Sequence, residues 1–95
     1  MKLGIFDSGI GGEAVAASLK TMFADATIDV VNDRKNVPYG SKTTEEVVRL
    51  TDTAIQPLLE GGSDIIILAC NTASAAALET LRLRYPDQQF IGFEP

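Results

Sequence analysis

Gly61-Gly62-Ser63-Asp64-Ile65-Ile66-Ile67-Leu68-Ala69-Cys70-Asn71-Thr72-Ala73-Ser74 is the stretch that decides the fold. Its apolar run, Ile65–Ala69, is framed by turn formers on one side and by a polar turn on the other. Such a run reads as a strand buried on both faces, the pattern of a parallel sheet. The residues after it read as the start of a helix. Cys70, the only cysteine in the chain, therefore falls at a strand's carboxyl end, beside helix N-terminal amides. Open α/β sheets bind ligands at that edge, and helix N-termini favour thiolates. The plainer alternative is a small buried hydrophobe, the usual lot of a lone cysteine.

Outward from this stretch the strand and helix signals alternate. Lys2–Phe6 reads as a first strand, and from Gly11 to Phe23 the residues Val15, Leu19, Met22 and Phe23 recur at helical spacing. Ile28–Asn32 is a second strand, followed by a loop of turn formers, Asp33–Lys42. Thr43 and Glu46 have the capping-box spacing. The helix they open puts Val47, Thr51, Ala54, Leu58 and Leu59 on one face, is kinked by Pro57 and stops at Gly61 and Gly62. A third helix runs from about Ala73 to Tyr85 with Leu78, Leu81 and Tyr85 inward, and Gln89–Phe93 is a last strand. This βαβαβαβ order predicts a three-layer α/β domain: a mostly parallel four-stranded sheet flanked by helices.

Composition narrows the function classes. At 95 residues the chain is one small domain, and no apolar stretch approaches the ~20 residues of a membrane span. Lys2–Phe6 is too short for a signal peptide's apolar core. One cysteine and no histidine leave neither an internal disulfide nor a closed zinc site. A net charge of −5 argues against nucleic acid as the main partner. The expectation is a cytoplasmic domain without metal or cofactor. Three helices cover a parallel sheet only partly, and the chain ends just after a strand. The sequence therefore predicts a fragment, or a half that needs a partner.

Three segments meet at the carboxyl edge of the expected sheet: Asp7-Ser8-Gly9, the Asp33–Gly40 loop with Val37-Pro38-Tyr39-Gly40, and Cys70-Asn71-Thr72. Taken singly, each has an ordinary explanation. Asp7 and Ser8 are good caps for the first helix, Asn71 and Thr72 for the third, and Pro38-Tyr39-Gly40 makes a turn. Together they place a carboxylate, a thiol and small polar donors on one rim, which suits a small polar ligand. Gly9-Ile10-Gly11-Gly12-Glu13-Ala14 also fits a dinucleotide fingerprint. The charges oppose that reading, since Asp7 and Glu13 would flank the pyrophosphate and no lysine or arginine lies between Gly4 and Leu19.

Phe6-Asp7-Ser8-Gly9-Ile10-Gly11-Gly12, Asp33 with Val37-Pro38-Tyr39-Gly40, and Ala69-Cys70-Asn71-Thr72-Ala73-Ser74-Ala75 resemble, in this order, the N-terminal half of glutamate racemases. These belong to the cofactor-independent aspartate/glutamate racemase family. The resemblance spans essentially the whole chain, with Phe93-Glu94-Pro95 similar to the segment leaving the first domain. It implies a flavodoxin-like half of that fold and a reaction in which two cysteines face opposite sides of the substrate Cα. Cys70 matches the first-half cysteine, and Asp7 the carboxylate that assists it. Ser8, Pro38, Tyr39, Gly40, Asn71 and Thr72 match positions that contact the substrate amino acid. The implied product is D-glutamate for peptidoglycan precursors and cell-wall biogenesis. No second cysteine and no histidine occur here, and Glu13 stands where the family usually has an apolar residue. Three readings follow: the N-terminal half of a racemase whose C-terminal domain is absent, a half-racemase paired as a symmetric homodimer, or a binding module for an amino acid or a protein.

Overall fold

In the computed structural model, which describes residues 1–9 and 12–93, the alternation becomes β1 (Lys2–Asp7), α1 (Gly12–Met22), β2 (Thr27–Asn32), α2 (Thr44–Ala54), α3 (Gln56–Glu60), β3 (Ile65–Leu68), α4 (Asn71–Arg84) and β4 (Gln89–Gly92). Two single 3₁₀ turns, Arg34–Asn36 and Tyr39–Ser41, occupy the loop after β2. All strands pair in parallel in the order β2-β1-β3-β4. The three-layer α/β architecture expected from the sequence is thus the one found. The start of the first helix at Gly11, the middle of the glycine fingerprint and the Glu94-Pro95 exit lie outside the described residues.

The period of a strand sends alternate side chains to opposite faces. Phe6, Ile66, Leu68 and Phe90 point to one face, where they pack with Val47, Ile55, Leu58, Ala73, Ala77 and Leu81 from α2, α3 and α4. Each large apolar side chain buried there contributes about 1.5–3 kcal/mol, so this face carries most of the core. The other face holds Leu3, Ile5 and Ile67, with α1 lying across β1 and β2. Towards β4 its cover thins, and Ile91 is 43% exposed.

Several local expectations shift. The long second helix is divided at Ile55, two residues before Pro57, instead of merely kinking. Pro57 sits at the start of α3, where its missing N–H costs no helical bond. Thr43 does cap α2, its Oγ1 accepting from Glu46 N–H at 3.2 Å. The return bond differs from a standard capping box, because the Thr43 hydroxyl donates to Glu46 Oε1. Met22 and Phe23 are exposed although their spacing fits the face of α1, because α1 ends beyond the sheet's amino edge. Tyr85 is only half buried, its hydroxyl reaching Asp52.

Candidate active site

Strands β1 and β3 are neighbours, with Phe6 opposite Leu68. The chain leaves β1 towards α1 on one face and leaves β3 towards α4 on the other. Here the sheet changes winding direction, and a crevice opens at such a switch point. Ser8 and Cys70 stand on its two sides. Ser8 Oγ and Cys70 Sγ are 3.3 Å apart, with either atom able to donate.

Cys70 is itself the N-cap of α4: its backbone is extended, and its Sγ accepts from Ala73 N–H at 3.4 Å. This corrects the sequence reading, which gave the capping role to Asn71 or Thr72 and began the helix near Ala73. Cysteine is not a preferred cap, so nothing in residue preference announces it. The consequence is that the thiol, half-buried, accepts from a helix N-terminal amide and shares a hydrogen bond with a hydroxyl.

Asp7 ends β1 with only 6% exposure, and its Oδ2 is buried without a partner among the described residues. It lies beneath the start of α1. A Cβ on Gly12 would come within 2.8 Å of Asp7 Cβ, so only glycine lets the helix sit this close. The residues just before Gly12 lie outside the described ones, and with them the expectation that Asp7 or Ser8 caps α1. Leaving a buried carboxylate oxygen unpartnered is costly.

The loop after β2 is organised by Asp33, a role its place in the sequence motif did not reveal. Asp33 N–H donates to Asp7 O at 3.2 Å. Its carboxylate accepts from Tyr39 O–H at 2.6 Å and from Asn36 Nδ2 at 2.8 and 3.0 Å. Tyr39 is 2% exposed, its ring 6.0 Å from that of Phe6. Burial, and then the hydrogen bond to Asp33, push its hydroxyl far above the ordinary tyrosine value. The Tyr39 hydroxyl is thus committed to the fold, and the Pro38-Tyr39-Gly40 segment offers the rim backbone groups instead. Pro38 and Gly40 are exposed.

Asn71 and Thr72 open α4 beside Cys70 and line a groove of about 440 Å³ with Lys42, Thr44 and Val47. Neither Cys70 nor Asp7 lines this groove, so it adjoins the thiol's rim without containing it. Arg34 approaches from the β2 loop, its Nε donating to Gly9 O and its guanidinium pairing with Glu13, both at 3.3 Å. The acidic charge near the glycine turn is therefore partly compensated through space, by a residue distant in sequence. Among the described residues no group of three or more His, Cys, Asp or Glu is placed to hold a metal ion.

The fold and rim define a parallel α/β domain with a serine-bonded cysteine at its switch point. No family model matches the chain. Across its full length it is 44% identical to the glutamate racemase of a Sulfurovum species and 47% identical to that of Lachnospira eligens, in each case covering 36% of the relative. Among solved structures, the glutamate racemase from Aquifex pyrophilus superposes with a TM-score of 0.90 at 38% identity, over 97% of this chain and 36% of that one. The Thermus thermophilus enzyme, solved with β-chloro-D-alanine, gives 0.85 at 35% identity, over 96% of this chain and 35% of that one.

The chain matches the N-terminal part of glutamate racemases, which are isomerases. It spans about a third of the length of these relatives, 36% of those two.

Proposed function

We propose that this chain supplies one of the two proton-transfer faces of a glutamate racemase, with Cys70 as its acid–base group. The observation that carries this reading is the Ser8–Cys70 contact of 3.3 Å at the switch point, beside an Asp7 carboxylate oxygen with no partner among the described residues. In the forward step the Cys70 thiolate takes the α-proton of glutamate. The S–H bond forms, the Cα–H bond breaks, and its electron pair stays on the substrate as an enolate-like carbanion. A thiol on the opposite face, from outside these residues, then returns a proton and inverts the centre. Run backwards, the Cys70 thiol donates.

Asp7 receives the substrate ammonium or passes it a proton. Ser8, the backbone at Pro38-Tyr39-Gly40, Asn71 and Thr72 hold the carboxylates, since short hydroxyls and N–H groups bind anions with little ordering cost. Support for glutamate as substrate comes from the relatives, one of which was solved in complex with L-glutamate. The proposed product, D-glutamate, serves cytoplasmic peptidoglycan synthesis. Among the described residues no helix is long and apolar enough to cross a membrane.

The test is α-proton exchange in D₂O with each glutamate enantiomer. It uses the chain alone and the chain mixed with a polypeptide equivalent to the remainder of a relative. Deuterium entering one enantiomer without inversion, and inversion appearing only in the mixture, is the expected result. Exchange that persists in Cys70→Ser, or no exchange in either sample, overturns the reading.

A further inference from the structure

The parallel ladders of this sheet end by a common rule. Where Phe6 faces Leu68, the next amide, Ala69 N–H, donates to Phe6 O at 2.7 Å. Where Asp7 faces Asn32, the next amide, Asp33 N–H, donates to Asp7 O at 3.2 Å. Leu68 faces Gly92 in the β3–β4 ladder, so Phe93 N–H belongs on Leu68 O. It is not there. Phe93 N–H donates to Ser74 Oγ at 2.9 Å, and the Ser74 hydroxyl donates to Leu68 O at 3.0 Å.

One hydroxyl is thus inserted into the last rung of the sheet. It is 7% exposed, and its donor and acceptor roles are both used. Gly92 leaves room for it: a Cβ there would lie 3.0 Å from Ser74 Oγ and 2.9 Å from Leu78 Cδ2. The insertion holds β4 away from β3 at the carboxyl edge. It also ties the Leu68 carbonyl, two residues before Cys70, to the first turn of the helix that Cys70 caps. Ser74 N–H closes the loop by donating to Cys70 O at 2.9 Å.

We infer that Ser74 is a positioning residue for Cys70, a hydroxyl spacer that fixes the β3–α4 turn so that Sγ meets Ser8 and Ala73 N–H. The inference rests on the reading of Cys70 as the proton-transfer thiol. Without the hydroxyl, Phe93 N–H can close directly on Leu68 O. The turn is then drawn towards β4, and Sγ is pulled from Ser8 and Ala73 N–H.

Two measurements test it. In the native protein, a through-hydrogen-bond coupling between Phe93 ¹⁵N and Leu68 ¹³C′ is expected to be absent, and its presence overturns the spacer. In folded Ser74→Ala that coupling appears, and iodoacetamide alkylates Cys70 at least about threefold more slowly because Sγ no longer sits against Ser8 and Ala73 N–H. Ser74→Thr, which keeps the hydroxyl, restores the native rate. If Ser74→Ala does not fold, Gly92→Ala takes its place, its methyl pressing on Ser74 Oγ with the same slowing expected. An unchanged alkylation rate in the folded variant overturns the positioning role. Alkylation needs no amino acid, so this outcome is independent of glutamate exchange, whose absence counts against the racemase reading alone.

Discussion

Helix α4 carries a polar cluster at each end, built from similar groups but finished differently. At its C-terminal end Asp52 Oδ1 accepts from Tyr85 O–H at 2.6 Å and from Gln56 Nε2 at 2.9 Å. Asp52 Oδ2 pairs with Arg84. Both carboxylate oxygens are used, and the cluster fastens α2 to α4. At the N-terminal end Cys70 Sγ meets Ser8 Oγ at 3.3 Å and Ala73 N–H at 3.4 Å, and across the rim Asp7 Oδ2 is buried with no partner among the described residues. A completed polar network stabilises, whereas an uncompleted buried one costs stability and retains capacity for a ligand. The difference separates a fastening from a site.

The largest expected effect on stability is at the finished end. Asp52→Ala removes the acceptor shared by Tyr85 O–H, Gln56 Nε2 and Arg84, and should lower unfolding free energy by about 1.5–2 kcal/mol. Urea denaturation checks this, and a loss under about 0.5 kcal/mol, the range of surface substitutions, would break the contrast.

Next in size is the alkaline limit. Burial first, and Asp33 second, raise Tyr39, while Tyr85 is raised chiefly by its bond to Asp52. Each folded tyrosine keeps its proton at a pH where the unfolded chain, titrating near ~10, gives it up. Stability from these groups is therefore intact below pH ~10 and falls as pH rises beyond it, by up to about 1.4 kcal/mol per pH unit for one group. Tyr39→Phe should flatten that decline far more than Tyr85→Phe in denaturation series between pH 9 and 11. Equal effects would mean that burial does not distinguish the two pairs.

The smallest effect is expected at Ser63, whose Oγ is also buried without a partner but lies at the amino edge, away from the rim. Ser63→Ala should be neutral or stabilising by up to about 1 kcal/mol, as removing an unsatisfied hydroxyl is. A clear destabilisation in urea would show that an unpartnered atom does not by itself mark spare polar capacity here.

The strand and helix order was legible because apolar runs and turn formers alternate cleanly, and the rim followed from that order. The Thr43 cap was legible from its spacing with Glu46. The break at Ile55 was not, because Pro57 signals an interruption without saying on which side the helix divides. Cys70 as a cap, Asp33 as the organiser of Tyr39 and Ser74 as a spacer escaped for one shared reason. Each depends on which side-chain contacts the folded turns make, and residue preference carries no record of them. Tyr39 was expected at the rim by resemblance. Its ring is drawn inward by Phe6, and its hydroxyl by Asp33.

The contrast between the two ends of α4 is tested most directly by one paired measurement. Cys70→Ser and Asp52→Ala are each assayed for α-proton exchange with glutamate in D₂O, in the mixture with the complementary polypeptide, and for thermal unfolding. The account predicts that Cys70→Ser loses exchange by at least about 100-fold while its unfolding temperature stays near native. It predicts that Asp52→Ala unfolds at a distinctly lower temperature yet still exchanges while folded. Native-like exchange in Cys70→Ser would contradict it.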